Sequence, residues 1–422
     1  MRKIVVLGCG FAGYNTALQL EEGLGGRRRV QLTIVTDKAH FLFTPLLYGV
    51  ATGELDMTHV AVGLTDQFAS TTQLVIDPVR SIDLARRVII CEQEEVAFDY
   101  LVVAPGSVVD WGGHENWKNF AHTFKDARDG VLVRERLTQA FAQAARLSDP
   151  GAIRAKVSFV IVGAGATGVE LAAELYSSIR ADLLPQASAQ VRELFRFVLV
   201  EAADKLLPQM PDELRAVAQP YLESIGVELR LAERVVEIAP SRVMLESGEA
   251  IEADNIFWCG GVRAPAFLAE AGFETDANGR VLVEKTLRAR GHQGIYVTGD
   301  AAAGDPLLAQ DAHVAAQQAQ LAAQNLLADL AGRSKRPIEF EYRGNLVTLG
   351  RGNAVVTMRN KAIEGKAAWL MYRLFYTAMM PHNLKKARLL KDWVASRSHR
   401  SEGLPASRLL EDSGPAKLAD DL

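Results

Sequence analysis

Apolar, β-branched residues fall in short dense runs along this chain, and two of the runs lead straight into glycines. Ile4 to Leu7 precede Gly8-Cys9-Gly10-Phe11-Ala12-Gly13, and Val160 to Val162 precede Gly163-Ala164-Gly165-Ala166-Thr167-Gly168. After each glycine group the spacing becomes alanine-rich and helical, which predicts a strand, a tight turn and a helix over residues 4–20 and again over 160–175. Such a repeat implies two nucleotide folds, each a parallel sheet with right-handed crossovers. Further strands are predicted at Arg87 to Ile90, Asp99 to Ala104, Asn255 to Trp258 and Gly294 to Asp300, with a long alanine- and glutamine-rich helix from about Ala312 to Ala331. Phe340 to Met358 alternates as a strand does. From Ala367 the chain turns apolar, passes Pro381, and continues as a basic helical pattern.

Composition narrows this picture. Hydrophobic residues make up 49% of the 422, charged residues 23%, and the net charge is -4, a balance that fits a folded chain of two or three domains and gives no sign of nucleic-acid binding. Cys9, Cys91 and Cys259 are the three cysteines; they form no CxxC pair, so neither a disulfide framework nor a metal site is expected. The N-terminal apolar run is too short for a signal peptide or a membrane span, which places the start of the chain in the cytoplasm as an expectation.

In a GxGxxG turn the first glycine allows the tight bend, the second lets the backbone approach a pyrophosphate, and the third lets helix and strand pack closely. The helix N-terminus then presents its positive dipole end to the phosphates. An acid at the end of the next strand is expected to accept from ribose hydroxyls. For the first loop that position falls on Thr36 or Asp37. For the second it falls on Glu201, which ends Phe197 to Val200 and whose charge would repel a 2′-phosphate, favouring NADH over NADPH. Glu201 stands farther from its glycines than the usual ~20 residues because a polar insertion, Ser177 to Arg196, intervenes. Gly299 and Asp300, at the end of a later strand, read either as a ribityl or pyrophosphate contact or as a simple turn.

With these pieces in order the chain resembles the type II NADH dehydrogenases, single-chain NADH:quinone oxidoreductases, over nearly its whole length to about residue 396. The matching stretches are Phe41 to Tyr48, Asp99 to Ser107, Gly163 to Glu170, Trp258 to Arg263, Val297 to Ala301, Ala315 to Gln318 and Gly344 to Val355. The resemblance implies an α/β fold: two Rossmann-like dinucleotide-binding domains in a glutathione-reductase-like flavoprotein, plus a C-terminal membrane-associated helical segment. The FAD-binding domain would comprise residues 1–118 and 270–335, the NADH-binding domain 119–269, the membrane-contact region 336–400, and a disordered tail 401–422. It implies hydride transfer from NADH to FAD and reduction of a membrane quinone without proton pumping, at the cytoplasmic face of the cell membrane. Contacts to FAD are expected from Gly8, Gly10, Phe11, Ala12, Gly13, Thr36, Asp37, Pro45, Val79, Ala104, Pro105, Gly106, Gly299 and Asp300. Contacts to NADH are expected from Gly163, Gly165, Thr167, Gly168, Glu201, Gly260 and Gly261. Glu170 would position nicotinamide or deliver a proton to quinone, and Gln317 and Gln318 would line the quinone pocket. The chain departs from the family pattern at Thr36, at Ala104-Pro105-Gly106 and at Ala312-His313. His313 reads as a proton donor or as an ordinary helix residue.

The C-terminal region carries the membrane expectation. Ala367 to Pro381 holds one charge in fifteen residues, below the ~18 of a spanning helix. Pro381 to Arg400 carries six lysines and arginines against Asp392. Helical spacing puts Leu389, Leu390, Trp393 and Val394 on one side with Lys385, Arg388 and Lys391 around them, as in a helix lying among lipid headgroups. Core packing or dimerisation would use the same residues, and a homodimer is left open. A sulfide:quinone oxidoreductase is the rival enzyme, disfavoured by the missing cysteines. A flavin- and NADH-binding redox module without quinone turnover is the alternative outside catalysis.

Overall fold

The structure is a computed structural model describing residues 1–25, 29–305, 309–341, 344–358, 361–381 and 383–395, with the backbone alone at 383–385, 394 and 395. Its first sheet runs, in spatial order, Ile295–Val297, Tyr100–Val103, Arg2–Leu7, Val30–Thr36 and Thr72–Ile76, all parallel. Ile4, Val5, Val6, Leu101, Val102 and Val103 have no exposed surface. Near-continuous apolar runs of this kind belong to strands covered on both faces. Helix Phe11–Leu24 covers one face and packs along helix Ala312–Leu330.

The second sheet repeats the first. Its order is His122–Thr123, Asn255–Trp258, Ser158–Val162, Arg196–Val200 and Glu228–Arg230, again parallel. The repeat extends beyond the glycine loops. Counting from the glycine-loop strand, between the third and fourth strands of each half the chain makes a three-stranded antiparallel excursion, Val79–Asp83 to Glu95–Ala97 in one and Val235–Ala239 to Ala250–Glu252 in the other. In both sheets the glycine-loop strand sits where the chain leaves in both directions, the crevice that binds ligands in open parallel sheets.

The C-terminal part joins the halves. Strands Asn345–Thr348, Ala354–Met358 and Lys361–Glu364 form an antiparallel sheet, so the strand expected over Phe340 to Met358 is a hairpin with Gly350 and Gly352 at positive φ in its turn. Val347, Leu349 and Val355 pack into the core of the second half, and Ala354 and Val356 into that of the first. The insertion Ser177 to Arg196 continues helix Ala166–Ser178 as one π-helical turn, Ile179–Leu183, before helix Ala189–Leu194 and the next strand.

Helices Gly365–Met379 and Asn383–Ala395 correct one expectation. Leu389 and Trp393 are buried against the first half, while Leu390 is 45% exposed, so the apolar side of the last helix faces the protein. The reason lies in Arg373, whose guanidinium is stacked 3.6 Å from the Trp369 ring centroid and 4.8 Å from that of Trp393 and is paired with Glu54. The exposed apolar stripe is on the preceding helix, at Leu370 and Leu374, with Leu390 beside exposed Arg388 and Lys391. The side chains of Lys385 and Val394, and the expected tail 401–422, lie outside the described residues. Among the described residues no helix is long and apolar enough to cross a membrane.

Candidate functional site

Both glycine loops meet the steric terms of the motif in the same way. Gly8 has φ +89°, and a Cβ there would stand 2.2 Å from the Ala104 carbonyl oxygen; at Gly163, φ is +101° and the Cβ would stand 2.3 Å from that of Cys259. A Cβ on Gly13 would lie 1.9 Å from the Gly8 carbonyl, and one on Gly168 1.8 Å from that of Gly163. The middle glycines, Gly10 and Gly165, have nothing within 4 Å of that position. Each is the N-cap of its helix and offers no side chain to the first N–H groups, whereas Asp126, Asp149 and Asp311 cap their helices with carboxylates. Two open, uncapped helix N-termini beside bare backbone fit two pyrophosphates.

Around the first loop the structure gathers Phe11, Ala12, Ala104 and Ala315 into one apolar cluster, and a Cβ on Gly299 would approach that of Ala12 to 2.9 Å. Phe11 also meets Phe41 and Phe43 edge-on or tilted, at 5.0 and 5.2 Å. Pro105 and Gly106 follow the strand end, Gly106 at φ +71°. Thr36 is buried at its strand end with its hydroxyl toward the N–H of Lys38, 3.3 Å, whereas Asp37 is exposed. Val79 is half-buried at the start of the antiparallel excursion. The Gln318 side chain accepts from the Gly299 N–H at 2.6 Å and is buried.

The second loop is closed by Glu201. Its Oε2 accepts from the Ala164 N–H inside the loop at 2.6 Å, and its Oε1 from the Ala203 N–H at 2.9 Å. Thr167, Gly260 and Gly261 are exposed beside it, and Gly260 is held close over the Trp258 ring. Burial pushes the Cys259 thiol up to about 12.

Glu170 stands on the helix that follows the second loop and is met by two other segments. Its Oε1 accepts from the Thr348 N–H at 3.1 Å and from the Tyr372 hydroxyl at 3.2 Å. That hydroxyl also lies 3.2 Å from the Pro45 carbonyl. Burial raises the Glu170 carboxyl to about 7, against the pull of the Thr348 and Tyr372 bonds, so it holds and releases a proton near neutrality. The paired glutamines separate: adjacent helix residues point some 100° apart. Gln317 exchanges two hydrogen bonds with the backbone of Glu341, both 3.0 Å, and its amide nitrogen lies 2.8 Å from His313 Nε2.

Three groups here escaped the sequence reading. Lys125 Nζ donates to Ser107 Oγ at 2.9 Å and Ser107 donates to Asp300 at 2.5 Å, a chain that joins the segment before helix Ala127–Ala144 to the Asp300 turn. Burial lowers the Lys125 ammonium and Asp300 opposes that. Thr348 and Tyr372 reach Glu170 across 178 and 202 residues, which no local pattern reveals. Glu174, at i+4 from Glu170 among alanines and leucines, did leave a signal: a carboxylate on an otherwise apolar helix face.

Comparison with known proteins gives the same family as the motifs. The family model of the pyridine nucleotide-disulphide oxidoreductases matches residues 2–319. A type II NADH:quinone oxidoreductase of Mycobacterium tuberculosis is 30% identical over 416 residues, covering 93% of this chain and 88% of its own. Another, from Haemophilus influenzae, is 27% identical over 412 residues, covering 89% of this chain and 93% of its own. Among solved structures, NDH2 of Plasmodium falciparum in complex with NADH superposes with a TM-score of 0.84 at 15% identity, covering 96% of this chain and 99% of that one. The sulfide:quinone oxidoreductase of Aquifex aeolicus is more distant in fold, at a TM-score of 0.72 and 16% identity, with 90% of both chains covered. The expected α/β fold with two dinucleotide-binding units is therefore borne out. With the family model spanning three quarters of its length and a full-length relative at 30% identity, the chain belongs to the pyridine nucleotide-disulphide oxidoreductases and, within them, to the type II NADH:quinone oxidoreductases.

Proposed function

We propose that this chain oxidises NADH and reduces a quinone through bound FAD, and the observation that carries the proposal is the pair of open, uncapped glycine helices in duplicated sheets. When bound, FAD accepts a hydride from NADH and passes two electrons on to the quinone. The first unit, residues 1–118 and 270–335, would hold FAD, with the Gly10 end of its helix for the pyrophosphate, Thr36 for the adenosine ribose and Asp300 for the ribityl chain. The second unit, 119–269, holds NADH, with Glu201 accepting from the ribose hydroxyls. Its carboxylate already braces the loop through Ala164, so the charge stays fixed where a 2′-phosphate would have to sit.

Glu170 is the group that carries a proton to the quinone. A carboxyl poised at about 7 is protonated often enough to give a proton and basic enough to recover one. Tyr372 holds its oxygen in place. Gln318 supports the quinone side through Gly299. Gln317 is tied to Glu341 and His313 and shapes that wall from the outside. Leu370, Leu374 and Leu390, flanked by Arg388 and Lys391, form the surface that meets the membrane where a long-tailed quinone resides. We place that membrane at the cytoplasmic face. The test is Glu170→Gln: re-oxidation of the reduced flavin by quinone slows roughly a hundred-fold or more, far more than reduction by NADH. Equal slowing of both half-reactions would move Glu170 to the nicotinamide side.

A sulfide-oxidising activity is poorly supported by the cysteines. Cys9 and Cys91 are buried. Burial holds the Cys259 thiol near 12, far from the thiolate that sulfur chemistry requires.

A further inference from the structure

Behind Glu170 lies a second carboxyl that no motif marks. Glu174 is one turn further along helix Ala166–Ser178, on the same face, and is 3% exposed. Its Oε1 accepts from the Thr348 hydroxyl at 2.6 Å. The backbone N–H of the same Thr348 donates to Glu170 at 3.1 Å. One residue of strand Asn345–Thr348 thus bridges both carboxyls with two separate donors.

The surroundings hold further charges. Glu54, just after helix Leu47–Ala51, pairs with Arg373 of helix Gly365–Met379, and Tyr48 and Tyr372 come from the same two helices. Burial, then the Glu54 carboxylate, push Glu174 up to about 8; Thr348 and Arg373 pull it back, and Glu170 adds to the rise. A buried acid on an apolar helix face is unfavourable unless it is partnered. Here its partner is the residue that also binds Glu170.

We propose that Glu174 is a positioning residue for Glu170 in quinone reduction, acting through Thr348, whose hydroxyl it holds and whose backbone N–H it thereby aims at Glu170. This rests on the reading of Glu170 as the proton donor. The Thr348 N–H favours the ionised form of Glu170, and Glu174, raised to about 8, stays protonated while Glu170 titrates at about 7, so it acts on Glu170 through its hold on the Thr348 hydroxyl.

The experiment is stopped-flow re-oxidation of the NADH-reduced holoenzyme by a soluble short-chain quinone, over a pH series spanning neutrality. Wild type is compared with Glu174→Gln, Thr348→Val, Thr348→Ser and Glu170→Gln, with flavin content and melting temperature as checks of folding. Glu174→Gln keeps an acceptor for the Thr348 hydroxyl, so the pH limb due to Glu170 stays in place, whereas Glu174→Leu, added to the series, removes that acceptor and moves the limb to higher pH by ~0.5 unit or more. Thr348→Val removes the hydroxyl and loosens the N–H contact, so the limb moves to higher pH. Thr348→Ser restores it. A uniform drop in rate with the limb unmoved in both Glu174→Leu and Thr348→Val makes Glu174 structural and overturns the inference alone. Re-oxidation of Glu170→Gln at the wild-type rate overturns the reading of Glu170, and the inference with it. Should Glu174→Leu lose its flavin, the Thr348→Val and Thr348→Ser pair decides the matter by the same limb.

Discussion

Glu201 and Glu170 are both carboxylates near a glycine loop, yet their surroundings give them different work. Glu201 has each oxygen on a backbone N–H, 2.6 and 2.9 Å, and remains an acceptor for hydroxyls. Glu170 is half-buried, and desolvation raises its carboxyl to about 7. Replacing Glu201 with Gln removes the repulsion of a 2′-phosphate, a Coulomb effect of about 1–4 kcal/mol at contact. The NADH-to-NADPH ratio of kcat/KM is therefore expected to narrow about ten-fold, and an unchanged ratio would show that Glu201 does not face the ribose. The raised acids also set a pH dependence of stability. Between the unfolded value near 4.5 and the folded values of about 7 and 8, the native state binds more protons than the unfolded state, so stability falls as pH rises through that window and levels off above it. Thermal melts across the window should show that decline, smaller in Glu174→Gln; a decline of wild-type size in the variant would mean that Glu174 is not raised. What was legible at this scale was what neighbours in sequence decide: the glycines, whose strain and clearance are local, and Glu201 at a strand end. The choice between Thr36 and Asp37 was not legible, because it depends on which of two adjacent side chains the strand end turns inward. Thr348, Tyr372 and Lys125 come to the site from distant segments.

At the scale of elements, the C-terminal helices carry the largest difference between pattern and packing. Periodicity alone groups Leu389, Leu390 and Trp393, but Arg373 and Glu54 bring Trp393 and Leu389 inward and leave Leu390 outside. The exposed leucines proposed to meet the membrane are consequently split between two helices, which no single-helix pattern displays. Cutting the chain at Ala367 would remove Tyr372 and Arg373 from the core along with the stripe, so point changes are the cleaner probe. Leu370→Ser, Leu374→Ser and Leu390→Ser together should weaken binding to anionic liposomes by about a hundred-fold or more, since each buried leucine contributes roughly 1.5–3 kcal/mol. Unchanged flotation with liposomes would locate the contact elsewhere. Arg373→Leu removes the buried guanidinium that pairs with Glu54 and stacks on Trp369 and Trp393 and should cost about 3–5 kcal/mol, read as a fall in melting temperature.

For the whole molecule, the duplication is the organising fact. Each half is a glycine-loop strand at the centre of a parallel sheet, with an antiparallel excursion in the same place, and the C-terminal hairpin packs into both cores. The sequence showed the repeat through its two loops but not through the excursions, whose short strands carry weak alternation. Nor did it show that Thr348 of the third unit would complete a site begun by Glu170 of the second and Pro45 of the first. Two dinucleotides and a quinone imply electrons that enter on one cofactor loop and leave on a third molecule. The most direct test is made without oxygen on the purified yellow holoenzyme. Addition of NADH should bleach the flavin absorbance, and subsequent addition of a quinone should restore it, in stoichiometric amounts. Bleaching by NADH with no return of colour on adding quinone would contradict the account and leave a flavin module that stops at the first half-reaction.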